Sequence, residues 1–205
     1  MFNLPPPDPA FEIVLASRGM SKGITQTEGP QIVAKPSLRV GDLQVGAQWK
    51  NVSSRTAKGE AALFVNGSRE LGSLHVSAGA AYKFQTGVRG PTDSASWEFN
   101  SVLSRKFGPV TARVIAIYSP NDLGRARKSL FVEGGPSVQL RQGWSVSAAA
   151  GRRSRRGGVD YTAWHAGVSK AIKLLQLDMR YYGTNRSEAG EIYKGRIVGS
   201  IRFSF

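Results

Sequence analysis

Few residues in this chain are typed and spaced for chemistry. His75-Val76-Ser77 puts an imidazole and a hydroxyl at i and i+2, which share one face if the segment is a strand. A nucleophilic hydroxyl also needs an acid behind the imidazole, and no such orienter is evident nearby. His165 has no Ser or Asp at a useful local spacing, and there is no cysteine, which excludes a thiol nucleophile and Cys-type zinc sites. Gly134-Gly135 and Gly157-Gly158 do not read as phosphate loops, because no helix follows either; they read as relief of strand curvature and loop strain. No catalytic residue, metal site or cofactor is expected. The densest charge is Arg152-Arg153-Ser154-Arg155-Arg156, whose guanidinium groups suit bidentate contact with phosphates. Lipopolysaccharide phosphates are one partner for Arg152, Arg153, Arg155 and Arg156, and a solvated loop without a ligand is the plain alternative. Nucleic acid is not expected, because the aromatic residues are not interleaved with this loop as a stacking platform.

The elements that must carry these residues follow from composition and period. The chain has 205 residues, 28 Lys and Arg against 14 Asp and Glu, and a formal net charge of +14. Mean hydropathy is −0.25, and no window approaches the roughly 20 apolar residues of a membrane helix. Hydrophobic residues make up 40% and recur regularly, which argues against disorder. The recurrence has period two: Leu43, Val45, Ala47 and Trp49 alternate with Gln44, Gly46, Gln48 and Lys50. Leu74 to Phe84, Leu130 to Leu140, Leu175 to Tyr181 and Ile197 to Phe205 do the same.

Twelve strands are predicted, near 10–27, 31–40, 43–52, 60–69, 73–84, 94–106, 110–119, 128–141, 144–153, 161–172, 175–184 and 194–205, after a proline-rich tail at 1–9. Tight turns alternate with longer polar loops, and Glu28-Gly29-Pro30 is the exception. Such a meander predicts an all-β, antiparallel up-and-down transmembrane barrel with both termini on the short-turn, periplasmic side. Aromatics on the apolar phase, among them Trp49, Tyr82, Trp97, Tyr118, Trp144 and Phe205, fall near strand ends, as interfacial girdles do. Pro36 and Pro136 each remove a ladder donor, so each predicts a bulge or distortion.

The mid-strand charges fall on the opposite phase, which must line the lumen, because Arg or Lys at the lipid midplane costs about 2–4 kcal/mol. The basic lumen candidates are Lys22, Lys35, Arg39, Lys50, Lys83, Lys106, Arg113, Arg141, Arg180, Arg196 and Arg202, with Arg153 also on this phase. The main acidic ones are Glu98, Glu133 and Asp178, beside Glu12 and Glu60. In one reading the surplus positive charge selects anions in a narrow pore. In the other, Glu98, Glu133 and Asp178 pair with Arg113, Arg180 and Arg196 and hold the lumen shut.

The first strand carries a family likeness. Its segment Ala16 to Thr27 resembles the N-terminal signature of TorF-family porins, roughly Ser-Asp-Tyr-x-x-Arg-Gly-Ile-Ser-Gln-Thr. Lys22-Gly23-Ile24-Thr25-Gln26-Thr27 matches its second half with conservative changes, while Arg18 and Gly19 depart from its acidic and aromatic positions. The segment from Pro30 to Asn51 is similar to the family's next hairpin. The resemblance implies a bacterial outer-membrane porin. On this reading the chain is a mature form whose signal peptide is absent, and its partners are outer-membrane lipids, lipopolysaccharide and small solutes. The C-terminal Phe205 is expected to engage the barrel assembly machinery. The expected activity is passive diffusion of small anions. The alternatives are a closed structural or lipopolysaccharide-binding barrel, and a soluble basic β-protein that binds polyanions.

Overall fold

A strand whose side chains alternate in polarity is stable only where its two faces meet different solvents, and here the sheet closes on itself to provide them. The computed structural model describes residues 5–53, 57–89, 94–123 and 127–205. The chain lays down β1 (Asp8–Ala16) and two short strands, β2 (Met20–Ser21) and β3 (Ile24–Thr25). Then follow β4 (Gln31–Val40), β5 (Leu43–Asn51), β6 (Gly59–Leu71), β7 (Leu74–Thr86), β8 (Ala95–Phe107) and β9 (Val110–Ser119). The series ends with β10 (Ser129–Gln139), β11 (Trp144–Arg155), β12 (Tyr161–Ile172), β13 (Leu175–Thr184) and β14 (Arg196–Ser204). Twelve of these strands form one closed antiparallel barrel, in which β1 pairs with both β4 and β14. Strands β2 and β3 pair with each other alone.

The predicted first strand at 10–27 is corrected by this arrangement. Wall strand β1 begins at Asp8, inside the predicted tail, and leaves the wall after Ala16. Residues 17–30 then form a loop containing the β2–β3 hairpin, so the connection at Glu28-Gly29-Pro30 is part of a long loop and no longer breaks the alternation. All six connections at one end are loops, and the five at the other are turns of two to four residues. Gly41, Gly72 and Gly108 sit in three of those turns at φ of 58, 64 and 59°, where a side chain would be strained. Parts of the predicted loops, at 54–56, 90–93 and 124–126, and residues 1–4 of the tail lie outside the described residues. At the short-turn end, Phe11 and Phe205 exchange backbone hydrogen bonds of 3.1 and 2.9 Å.

The exterior is apolar. Leu63, Val65, Met179 and Ile197 expose 58, 44, 59 and 72% of their surface, and each lies on the outward phase of its strand. That inversion of the usual burial rule belongs to a barrel dissolved in lipid. Outward rings run in a row from Tyr82 to Trp97, Phe99 and Tyr118, with centroids 5.2, 6.3 and 6.5 Å apart. Cations cap rings at both ends of the wall: Lys128 over Tyr118 at the loop end, and Lys170 over Trp144 and Arg105 over Phe107 at the turn end. Lys170 and Arg105 are therefore outward charges placed at the rim, where their heads reach the interface.

Neither proline produces a bulge. Between β4 and β5 the pairing lapses after Ala34–Trp49 and resumes in phase at Ser37–Gly46. Between β10 and β11 it lapses after Gly134–Ala150 and resumes in phase at Ser137–Ser147. The distortion is a gap of two residues with no slip, so every side chain keeps its face. At the second gap Gly135 lies so close to Ala149 that an added Cβ would sit 2.6 Å from the Ala149 Cα.

Candidate functional site

The lumen is the concave polar region of this fold, and the 17–30 loop divides it. Lys22 and Gly23 occupy the hairpin turn at φ of 50 and 80°, the paired left-handed residues of a tight two-residue hairpin. At the neck, Gly19 N–H donates to Thr27 Oγ1 at 2.6 Å and Gln26 N–H donates to the Gly19 carbonyl at 2.7 Å. The tip crosses the mouth toward β12, where Gly23 abuts Ala163 and the Tyr161 hydroxyl donates to the Lys22 carbonyl at 2.8 Å. Ile24 completes a small buried apolar cluster with Tyr161, Ala163 and Tyr193. A core this small is ordered because a backbone hairpin satisfies its polar groups and the cluster covers its side chains.

Five charges hold the hairpin from the other side. Lys22 Nζ lies 2.5 Å from Glu98 Oε2, which also receives Lys83 at 3.3 Å. Glu60 takes Lys83 and Lys50, each at 3.1 Å, and Lys50 donates to Gln26 at 2.8 Å. The chain Lys22–Glu98–Lys83–Glu60–Lys50 therefore runs from the hairpin tip along the wall and back to the hairpin neck. Beside it, Asp122 binds Arg153, whose guanidinium also donates to Tyr161.

A second network lies deeper. Arg180 donates to Asp178 at 2.9 Å, to Ser147 at 3.0 Å and to His165 Nδ1 at 2.9 Å. An acceptor role for Nδ1 leaves the imidazole proton on Nε2, 3.4 Å from Glu133. Ser169 donates to Asp178 at 2.6 Å. The partners expected for the three acids are thus rearranged: Glu98 takes lysines, Glu133 takes His165, and Asp178 takes Arg180 from its own strand. Arg196 binds Glu191 in the loop at 3.1 Å, and Arg113 has no carboxylate partner among the described residues.

The remaining candidates fall as follows. Lys35 and Arg39 lie on the inward phase of β4, Lys106 on that of β8, and Arg202 faces Glu12 at 3.5 Å. Arg141 stands in an exposed turn at the short-turn end, outside the lumen. The predicted basic loop is corrected: Arg152, Arg153 and Arg155 lie on strand β11 and Arg156 follows it. Arg152 and Arg156 are exposed, whereas Arg153 is 7% exposed and turned inward. Arg155 donates to Tyr193 at 2.5 Å and to the Val159 carbonyl at 3.0 Å, which ties it to the rim. The acid thought missing behind His75 is Glu70, whose carboxylate lies 2.6 Å from Nδ1. No hydrogen bond joins His75 to Ser77 among the described residues, so the pair does not assemble as nucleophile and base.

Sequence reasoning missed the apolar lumen residues Phe64, Ile115, Ile117 and Phe131. They lie on the inward phase of β6, β9 and β10, and their parity alone could have revealed them. They line a cavity of about 430 Å³, and a second of about 540 Å³ meets it at Met20, Gln48, Lys50 and Tyr182.

Asp122 lies outside the wall strands, and its charge state sets a pH window. Burial would raise its carboxyl, but the Arg153 guanidinium and then the Lys22 ammonium outweigh that and hold it below its ordinary value of 3.8. A depressed carboxyl stabilises the folded state above its unfolded pKa and loses that contribution as pH falls through the folded value. Hydrogen exchange at the Asp122 amide, which donates to the Arg127 carbonyl, should therefore stay slow from neutral pH down to about 4 and then speed up, after correction for intrinsic exchange. Asp122→Asn should speed it at neutral pH, because Arg153 would be left buried without its anion.

No protein-family model and no curated protein matches this chain at the sequence level. Its fold is shared with solved porins. It is similar to the KdgM porin at a TM-score of 0.67 and 8% identity, covering 96% of this chain and 99% of that one. The KdgM porin in complex with disordered oligogalacturonate matches at 0.67 and 9%, with the same coverage. The NanC porin matches at 0.66 and 10%, covering 95% of this chain and 98% of that one. At these identities the likeness is one of architecture: a porin-like barrel.

Proposed function

We propose that this chain is an outer-membrane channel through which small anions diffuse passively, with the short-turn end in the periplasm. The observation that carries the reading is the set of lumen cations left over from the ion pairs. Arg18, Lys35 and Arg113 line the two cavities and have no carboxylate partner among the described residues. A confined cation without an anion favours an anionic visitor. The KdgM porin, of the same architecture, has been solved in complex with oligogalacturonate. The TorF-family resemblance supports the same role, and its matching residues, Lys22 to Thr27, are those of the hairpin. Arg152 and Arg156 would meet lipopolysaccharide phosphates at the outer rim, and Phe205 would be read by the assembly machinery.

The test is single-channel recording of refolded protein in a planar bilayer under a potassium chloride gradient. A steady conductance whose reversal potential reports anion selectivity is expected. Cation selectivity would overturn the role given to the surplus charge. A second reading, a barrel without conductance, is favoured by the hairpin across the mouth, and silence from protein shown to be folded and inserted would establish it.

A further inference from the structure

The larger part of the lumen surface is polar, as the strand period requires, but four large apolar side chains are set into it. Ile115, Ile117 and Phe131 point inward from the adjacent strands β9 and β10 and form one apolar side of the 430 Å³ cavity, and Phe64 lines it separately from β6, with Lys83, Glu98 and Asn100 of β7 and β8 between. In a water-filled passage for hydrophilic solutes, four large apolar side chains together are a cost, because they order water and offer it no partner. On the Phe64 side of the cavity, the Lys35 ammonium sits 5.0 Å from the centroid of that ring. The other cations lining this cavity, Lys22, Lys50 and Lys83, are each bound to Glu60 or Glu98. Lys35 has no carboxylate partner among the described residues, so one uncommitted positive charge and one apolar side share the cavity.

We infer that this cavity is a binding site for an amphipathic monocarboxylate, an anion with a compact aromatic or branched alkyl body. The carboxylate would replace water at Lys35, with Gln48 on the same cavity as a hydrogen-bond donor, and the body would lie against Ile115, Ile117 and Phe131. The volume is in the range of small-molecule sites and suits a solute of about ten heavy atoms. A sugar acid of the same charge would satisfy Lys35 but leave its hydroxyls against the apolar side. This inference deepens the channel reading and rests on it for the solute's way in and out.

The experiment is isothermal titration of full-length protein, refolded into lipid nanodiscs, with phenylacetate and with glucuronate as a hydrophilic anion of equal charge. Phenylacetate is expected to bind roughly tenfold more tightly or better. Lys35→Gln should weaken phenylacetate, and Ile117→Ser should weaken it while leaving glucuronate unchanged. Val65→Ser, on the lipid face, should leave both unchanged and controls for partition into the bilayer. Heat-modifiable gel migration reports whether each variant is folded, and either lumen variant alone suffices for the comparison. Equal affinity for the two anions, or phenylacetate binding indifferent to the lumen variants, overturns the site. Binding that persists in a barrel without conductance would remove the channel reading and keep the site. Conductance without preference for phenylacetate would do the reverse.

Discussion

Val65→Arg should destabilise the barrel by about 2–4 kcal/mol, and Asn66→Arg, one residue further along β6, should leave its stability close to that of the parent chain. The two positions lie at the same depth in the middle of a thirteen-residue strand, on opposite faces. Val65 is 44% exposed to the exterior, whereas Asn66 borders the lumen cavity and receives a hydrogen bond from Asn100 at 3.4 Å. A guanidinium on the lipid side at midplane costs about 2–4 kcal/mol. Against a typical total stability of about 5–15 kcal/mol, that is a large share. The lumen variant places the same group beside water and other polar side chains, where it keeps its hydration. Urea titration in lipid vesicles, followed by heat-modifiable migration, reads the difference. Equal stabilities for the two variants would mean that the faces are assigned the wrong way round.

Replacing Met20–Thr25 with a short glycine-serine link should raise single-channel conductance by roughly a factor of two or more, because current through a water-filled pore grows with its narrowest section. The hairpin crosses the mouth from its neck at Gly19 and Thr27 to Tyr161 and Ala163, so its removal joins the two cavities end to end. Glu98→Gln is the milder form. It keeps the hairpin but removes the carboxylate shared by Lys22 and Lys83, and it should produce flickering between conductance levels. Unchanged conductance on deletion would show that the narrowest point lies elsewhere, with the Arg180–Asp178–His165 network as the next place to look.

The wall of this protein was legible because lipid and lumen enforce a strict two-residue period, and no other force competes with it along a strand. Eleven of the twelve predicted wall strands match within a few residues, and β4, β9, β12 and β13 match at both ends. The exception, the stretch 10–27, exposes the limit. Val14 and Ala16 interrupt the alternation inside the wall strand itself, so period alone does not mark where the chain leaves the wall. Length does: eighteen residues are well beyond the 9–11 that cross a bilayer, and Lys22-Gly23 is a weak form of the Asn-Gly turn signal. The charge partners were illegible for a different reason. Which lumen groups meet depends on barrel radius, shear and the path of the hairpin, none of which the alternation encodes. Glu98 was assigned to an arginine from the wall, yet its nearest cation, Lys22, arrives on a loop.

The junction of β1 with β14 has a kinetic meaning. Every other seam in the wall joins strands that are neighbours in sequence, so each can zip as a local hairpin. This one pairs Glu12 with Ser204 and Ala16 with Ser200, across nearly the whole length of the chain. Bringing such distant segments together costs chain entropy that no shorter contact repays in advance. The barrel therefore has a defined last stitch. Until it is made, the edges of β1 and β14 are bare in a solvent that offers backbone groups no hydrogen bonds, and an assembly factor has most to gain by shielding those two edges.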